Sequence, residues 1–111
     1  MATVDKTQIF TAEAIRVDTA VNSIVADTGE FQAETIVIYN GLNQSVSIQL
    51  QGSHDNSVWI DIGEPFSVAA GVNDYDTVTD YFPIYRIVST CSTAPTTGDL
   101  DAWILKAGAV N

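Results

Sequence analysis

The stretch Ser45-Val46-Ser47-Ile48-Gln49-Leu50-Gln51 alternates polar and apolar residues without a break. A period of two is the repeat of a β-strand with one buried face, so Val46, Ile48 and Leu50 are assigned to the interior and their neighbours to water. Upstream, Thr35-Ile36-Val37-Ile38-Tyr39 is β-branched and aromatic and apolar on both faces, the pattern of a central or doubly covered strand. Asn40-Gly41 stands between the two, and Asn-Gly is a turn pair because both residues tolerate positive φ. The two strands are therefore expected to form an antiparallel hairpin.

The same reading extends along the chain. Gly52 to Ser57 is a polar turn leading into an alternating strand, Val58 to Ile62, ended by Gly63 and Pro65. Phe66-Ser67-Val68 is a short strand, and Val72 to Asp80 alternates loosely. Ile84 to Thr90 and Leu100 to Lys106 are strands separated by a Thr/Pro/Gly loop. Thr11 to Val25 reads in two ways. It is an amphipathic helix with Ala14, Val17, Val21 and Ile24 on one side, or two strands, Ile9 to Val17 and Val21 to Ala26. The β-branched content favours strands. About eight short strands with turn signals every ten residues predict an all-β fold, a single antiparallel, jelly-roll-like β-sandwich over residues 1–111. Such a fold must protect its sheet edges, by its own N-terminal segment or by a neighbouring subunit.

Charge narrows the partners. Fourteen carboxylates against four basic residues give a net charge of −10. Lys6, Arg16, Arg86 and Lys106 are scattered, which predicts no binding to nucleic acid or to an anionic membrane. Cys91 is the single cysteine, so no internal disulfide is available, and a buried strand position is expected for it. The start, Met1-Ala2-Thr3-Val4-Asp5, lacks the basic and apolar regions of a signal peptide, which predicts synthesis in a cytoplasm without export of the usual type.

Little in the sequence predicts catalysis. His54, the single histidine, lies in a Ser-His-Asp-Asn turn and is expected to be exposed. A nucleophile needs a spatially placed base, and one histidine leaves little freedom to build that arrangement. Zinc is not expected from one Cys and one His, and no cofactor is predicted. Asp74, Asp76 and Asp80 are weak calcium candidates, because calcium takes oxygen ligands from loops. Their spacing does not match a twelve-residue calcium loop, and a solvated acidic loop is the simpler expectation. Asp61 with Glu64, and Asp99 with Asp101, are carboxylate pairs by residue type alone. The aromatics, Trp59, Trp103, Tyr39, Tyr75, Tyr81, Tyr85 and four Phe, can fill a core, form an interface or stack on sugars. At least one tryptophan is expected in the core.

Ile36 to Gly63 carries a strand ending in Tyr-Asn, a strand ending in Gln-Gly-Ser, an Asp-containing turn and Trp-x-Asp-x-Gly. With Val68-Ala69-Ala70-Gly71, Tyr85-Arg86-Ile87 and the loop Thr93 to Gly98, this resembles small β-sandwich structural proteins of tailed bacteriophages. The resemblance implies a non-enzymatic virion component, a capsid decoration (cement) or head–tail accessory protein, made in the host cytoplasm. It implies a major capsid or tail protein as partner and self-association, commonly as a homotrimer. Contact with the lattice is then expected through apolar surface and an extended N-terminal arm, residues 1–8, with Val4, Ile9, Phe10, Trp59 and Tyr75 as interface candidates. The Gly-Ser-x-Asp…Trp rhythm is similar to that of discoidin-like sandwiches, and the alternative is a carbohydrate- or receptor-binding module using Trp59 or Tyr side chains.

Overall fold

A computed structural model describes residues 2–27, 33–78 and 82–109. They form nine strands: β1 (Ala2–Glu13), β2 (Val21–Asn22), β3 (Ala26–Asp27), β4 (Ala33–Asn40), β5 (Val46–Ser53), β6 (Trp59–Val68), β7 (Asn73–Val78), β8 (Ile84–Thr90) and β9 (Leu100–Ala109). No helix occurs among the described residues. The segment with two readings is not helical, but it is strand only in part: β1 stops at Glu13, short of the expected Val17, and the expected strand Val21 to Ala26 is reduced to β2 and β3 with an irregular stretch between. Ala12 has a φ of 45°, in the left-handed region, and Ile15 N–H donates to Glu13 O, which turns the chain out of the ladder.

The pairing is nested. The first strand pairs antiparallel with the last, β1 with β9. Inside that pair, β2 and β3 both pair with β8, then β4 with β7, and innermost β5 with β6. Two further pairings, β4 with β9 and β5 with β8, join these into two layers, ordered β1-β9-β4-β7 and β2-β8-β5-β6. First-to-last nesting folded across two sheets is a jelly roll. Because β2 and β3 occupy successive stretches of β8, nine elements fill the eight expected strand positions.

The expected hairpin between β4 and β5 does not form, since the two strands lie in different sheets. Asn40-Gly41 is instead a crossing between layers. The buried Asn40 side chain donates through Nδ2 to the carbonyls of Gln44, Val68 and Ala69, at 3.0, 2.9 and 3.2 Å. Its Oδ1 accepts from Leu42 N–H at 3.0 Å. One buried amide thus holds three carbonyls and one N–H at the crossing. The expected polar turn after Gly52 does form, and it makes a hairpin. The Ser53–Val58 turn joins β5 to β6, with Asp55 Oδ1 accepting from Ser57 and Val58 N–H. The two pieces expected on either side of Gly63 are one strand, β6, broken only by a bulge where Gly63 has a φ of 66°. Gln49 Nε2 donates to the carbonyls of Leu50, Ile62 and Gly63 around that bulge.

Alternation places the core. Ile36 and Ile38 of β4, Val46, Ile48 and Leu50 of β5, Tyr85 and Ile87 of β8 and Leu100, Ala102 and Ile104 of β9 interlock between the sheets, joined by Cys91. Ile9 and Phe10 of β1 are also core residues, each only 2% exposed. Neither Trp59 nor Trp103 is buried there; both stand half-exposed on outer faces, so the expected core tryptophan is replaced by Phe10 and Tyr85. Tyr85 keeps its hydroxyl satisfied by accepting from Phe82 N–H at 2.9 Å.

Residues 2–8, expected as an arm, belong to the chain's own sheet. Their partners run from Ala109 back to Trp103 on β9. This is the first of the two expected ways of covering an edge.

Candidate functional site

The site residues expected from sequence are not brought together. Ile9 and Phe10 are buried between the sheets and offer no surface, so as interface candidates they are corrected: their side chains point inward, where β1 closes the core. Val4 pairs with Ala107 within the ladder. Trp59 and Tyr75 reach the surface, but on β6 and β7, in different sheets.

Trp59 is largely spoken for. The Arg86 guanidinium lies 4.2 Å from its ring centre. Arg86 Nε donates to Gln51 Oε1 at 2.8 Å, and Gln51 Nε2 donates to Asp61 Oδ1 at 2.8 Å. Gln51 is the direct cross-strand partner of both Arg86 and Asp61, so the three form one polar row across β8, β5 and β6. The row neutralises one charge of each sign and holds the cation over the indole, a contact worth about 0.5–1 kcal/mol at exposed sites. The outer face of this sheet is polar and internally satisfied along that row.

Asp74 and Asp76 lie on β7 opposite Ile38 and Ile36, with Tyr75 between them on the other face. Both are exposed, and each accepts a hydrogen bond from the next residue's N–H, Tyr75 and Thr77. Asp80 lies outside the described residues. Among the described residues no three His, Cys, Asp or Glu side chains converge as a metal-binding group. The position of Asp74 and Asp76 has a structural explanation: β7 is an edge strand, and inward-directed charge on an edge disfavours pairing with another chain. His54 is exposed in the Ser53–Val58 turn, and Asp55 beside it is held below the ordinary carboxylate range, chiefly by the backbone N–H groups of Val58 and Ser57. Burial pushes the Cys91 thiol up. Of the carboxylate pairs, Asp101 Oδ1 accepts from Gln8 Nε2 at 3.1 Å and from Ala12 N–H at 2.8 Å, which pins the β1 bulge.

A different surface emerges on the four-stranded sheet. Register places Gln8, Trp103, Val37 and Tyr75 in one row across β1, β9, β4 and β7, all on the outer face. Lys6 and Leu105 lie on one side of that row, Tyr39 and Asp101 on the other. The rings of Tyr39 and Trp103 are 4.9 Å apart at 67°, edge to face. They make one wall of a shallow pocket completed by Val37, Leu105 and Lys6, about 200 Å³ in volume. Tyr75 stands beside it, 67% exposed. From sequence Tyr75 is an interface candidate, whereas Tyr39 and Trp103 stand only among the aromatics with several possible roles. Tyr39 and Trp103 are 64 positions apart, and only the β4–β9 register brings them together.

No family model and no curated protein matches the sequence. The fold does match solved structures. One is the PBSX exported protein XepA, with a TM-score of 0.72 at 19% identity over 98% of this chain. This chain spans 38% of XepA's length. The SPBc2 prophage-derived protein YomS matches at TM-score 0.60 and 17% identity, over 96% of each chain. A chain of the Bacillus endospore appendages, described as disulfide-linked pili, matches at TM-score 0.55 and 15% identity over 97% of this chain and 89% of its own. These similarities establish a shared β-sandwich fold.

Proposed function

We propose that this chain is a non-enzymatic structural component of a phage-derived particle, a capsid decoration or head–tail accessory protein that binds the major capsid or tail protein and self-associates as a trimer. The observation that carries the reading is the end-to-end match to YomS, a prophage-derived protein, reinforced by XepA from PBSX. The disulfide linkage named for the endospore appendages does not transfer readily, because Cys91 is buried.

The test has two arms. Particles purified after prophage induction are analysed by mass spectrometry and imaged. The free protein is sedimented to determine its mass. Stoichiometric presence on particles, with a solution mass near three times the 11.9 kDa chain, is the expected result. Absence from particles refutes the reading, and a monomer at high concentration refutes the trimer.

A further inference from the structure

We propose that the outer face of the four-stranded sheet binds a neutral glycan, with Trp103 and Tyr39 holding one sugar ring and Tyr75 contacting the next. The inference goes beyond the particle assignment and does not depend on it.

Three observations carry it. The first is shape. An edge-to-face pair of rings makes a corner rather than a flat platform, and the pocket beside it has room for little more than one ring. Tyr75 lies two strands from Trp103, roughly 9–10 Å away at the spacing of paired strands, the span of two linked pyranoses.

The second is chemistry. A pyranose presents axial C–H groups on its faces and hydroxyls around its rim. The aromatic faces and Val37 take the former. Polar groups flank the row for the latter: Gln8 at one end, whose Nε2 is spent on Phe10 O and Asp101 Oδ1 so that its Oε1 is the atom offered, and Asp101 beside Tyr39, whose Oδ2 has no partner among the described residues. Tyr and Trp combine large apolar area with a polar handle, which suits an amphipathic ring.

The third is charge. The chain carries −10, yet the outward positions of β1, β9, β4 and β7 described above bear one Lys and one Asp. A second copy carries the same net charge of −10, which opposes its approach at long range, and a basic partner finds one carboxylate on this face to pair with. A neutral ligand meets neither obstacle. Trp59 does not serve as the platform, because Arg86 covers its ring.

The experiment titrates the whole chain with neutral hexasaccharides of glucose, xylose, mannose and N-acetylglucosamine, by calorimetry and by emission of a Trp59→Phe variant, in which Trp103 is the only fluorophore of its kind. Expected is binding of at least one hexasaccharide, with a Trp103 emission shift. Tyr75→Ala, at an exposed position with no fold role, should weaken it several-fold, up to about tenfold. Trp103→Ala should abolish the emission response and the heat. Trp59→Ala should leave affinity unchanged. No binding of any hexasaccharide at millimolar concentration overturns the proposal, as does binding that survives both Tyr75→Ala and Trp103→Ala. A concentration-dependent dimer abolished by Tyr75→Ala also overturns it and assigns the face to a second copy. None of these outcomes bears on whether the chain is found on particles.

Discussion

Asn40 is the residue whose loss should most disturb the meeting of the two layers. It is 1% exposed, and its amide satisfies three carbonyls and one N–H at the crossing from β4 toward β5. Two of those bonds, to Val68 O and from Leu42 N–H, are fully buried, so Asn40→Ala strands two groups that water cannot reach. Each unsatisfied buried group costs about 1–3 kcal/mol, while the half-buried carbonyls of Gln44 and Ala69 regain water. The expected loss is about 3–4 kcal/mol, a large part of the 5–15 kcal/mol typical of a domain. Urea denaturation followed by tryptophan emission measures it; with a slope of about 1–3 kcal/mol/M, the midpoint falls by at least about 1 M. Asn40→Asp sharpens the test. An ionised carboxylate there faces carbonyls and has no proton to donate, so its folded-state pKa must rise above the unfolded value. Stability is then fullest below about pH 4 and is lost as pH rises through the folded pKa. A loss below about 1 kcal/mol for Asn40→Ala, or an Asn40→Asp variant insensitive to pH, refutes the account of the crossing.

Gly98 has a φ of 89°, and a Cβ there would meet the Gly41 carbonyl oxygen at 1.9 Å, whereas a Cβ on Gly63 at φ 66° meets nothing within 4 Å. Gly98→Ala is therefore expected to prevent folding or lower the melting temperature sharply, while Gly63→Ala costs only the left-handed backbone, about 1–2 kcal/mol. The lowered pKa of Asp55 favours the folded turn above the unfolded value and loses that contribution as pH falls through the folded one. Protection of the Ser57 and Val58 amides, taken relative to the intrinsic exchange rate at each pH, should fall on acidification below about pH 4, and Asp55→Asn should flatten that dependence. The raised pKa of Cys91 and its burial predict that a thiol reagent at pH 8 reacts only as fast as the chain opens; prompt stoichiometric labelling of native protein contradicts the core position.

The strands were legible because a half-buried strand writes its period into local sequence. Val46-Ser47-Ile48-Gln49-Leu50 is buried and half-buried in strict alternation, as the pattern requires. The pairing was not legible to the same degree. Asn40-Gly41 has the chemistry of a hairpin turn, yet Gly41 is not in a positive-φ conformation, and the Asn side chain is used on tertiary partners instead. Local turn propensity lost to the burial of Asn40. Ile9 and Phe10, just past the expected arm of residues 1–8, read as interface candidates because nothing local fixes the direction of their side chains, and only the placement of β1 against β9 turns them inward. The aromatic face was hidden for the same reason: Tyr39, Tyr75 and Trp103 sit on three strands and become neighbours through first-to-last nesting.

That nesting also decides which surfaces remain for partners. A jelly roll leaves four open edges, and each is blunted here. On one side of the sandwich, β7 carries Asp74 and Asp76 toward its interior side, and β6 is bulged at Gly63 and loses a donor at Pro65. On the other, β2 and β3 are two residues each, and β1 shifts register twice along β9. Edge-to-edge growth by strand addition is therefore disfavoured at every edge. Association must then use faces. The face of the five-stranded sheet carries a row, Arg86-Gln51-Asp61, that satisfies itself, so a partner there has to displace bonds already made. The face of the four-stranded sheet exposes Tyr39 and Tyr75 with no such row, and contact there releases water from apolar rings. A substitution that disrupts binding while leaving stability intact should consequently map to Tyr75 or Trp103, on the outer face of the four-stranded sheet, before it maps to Trp59.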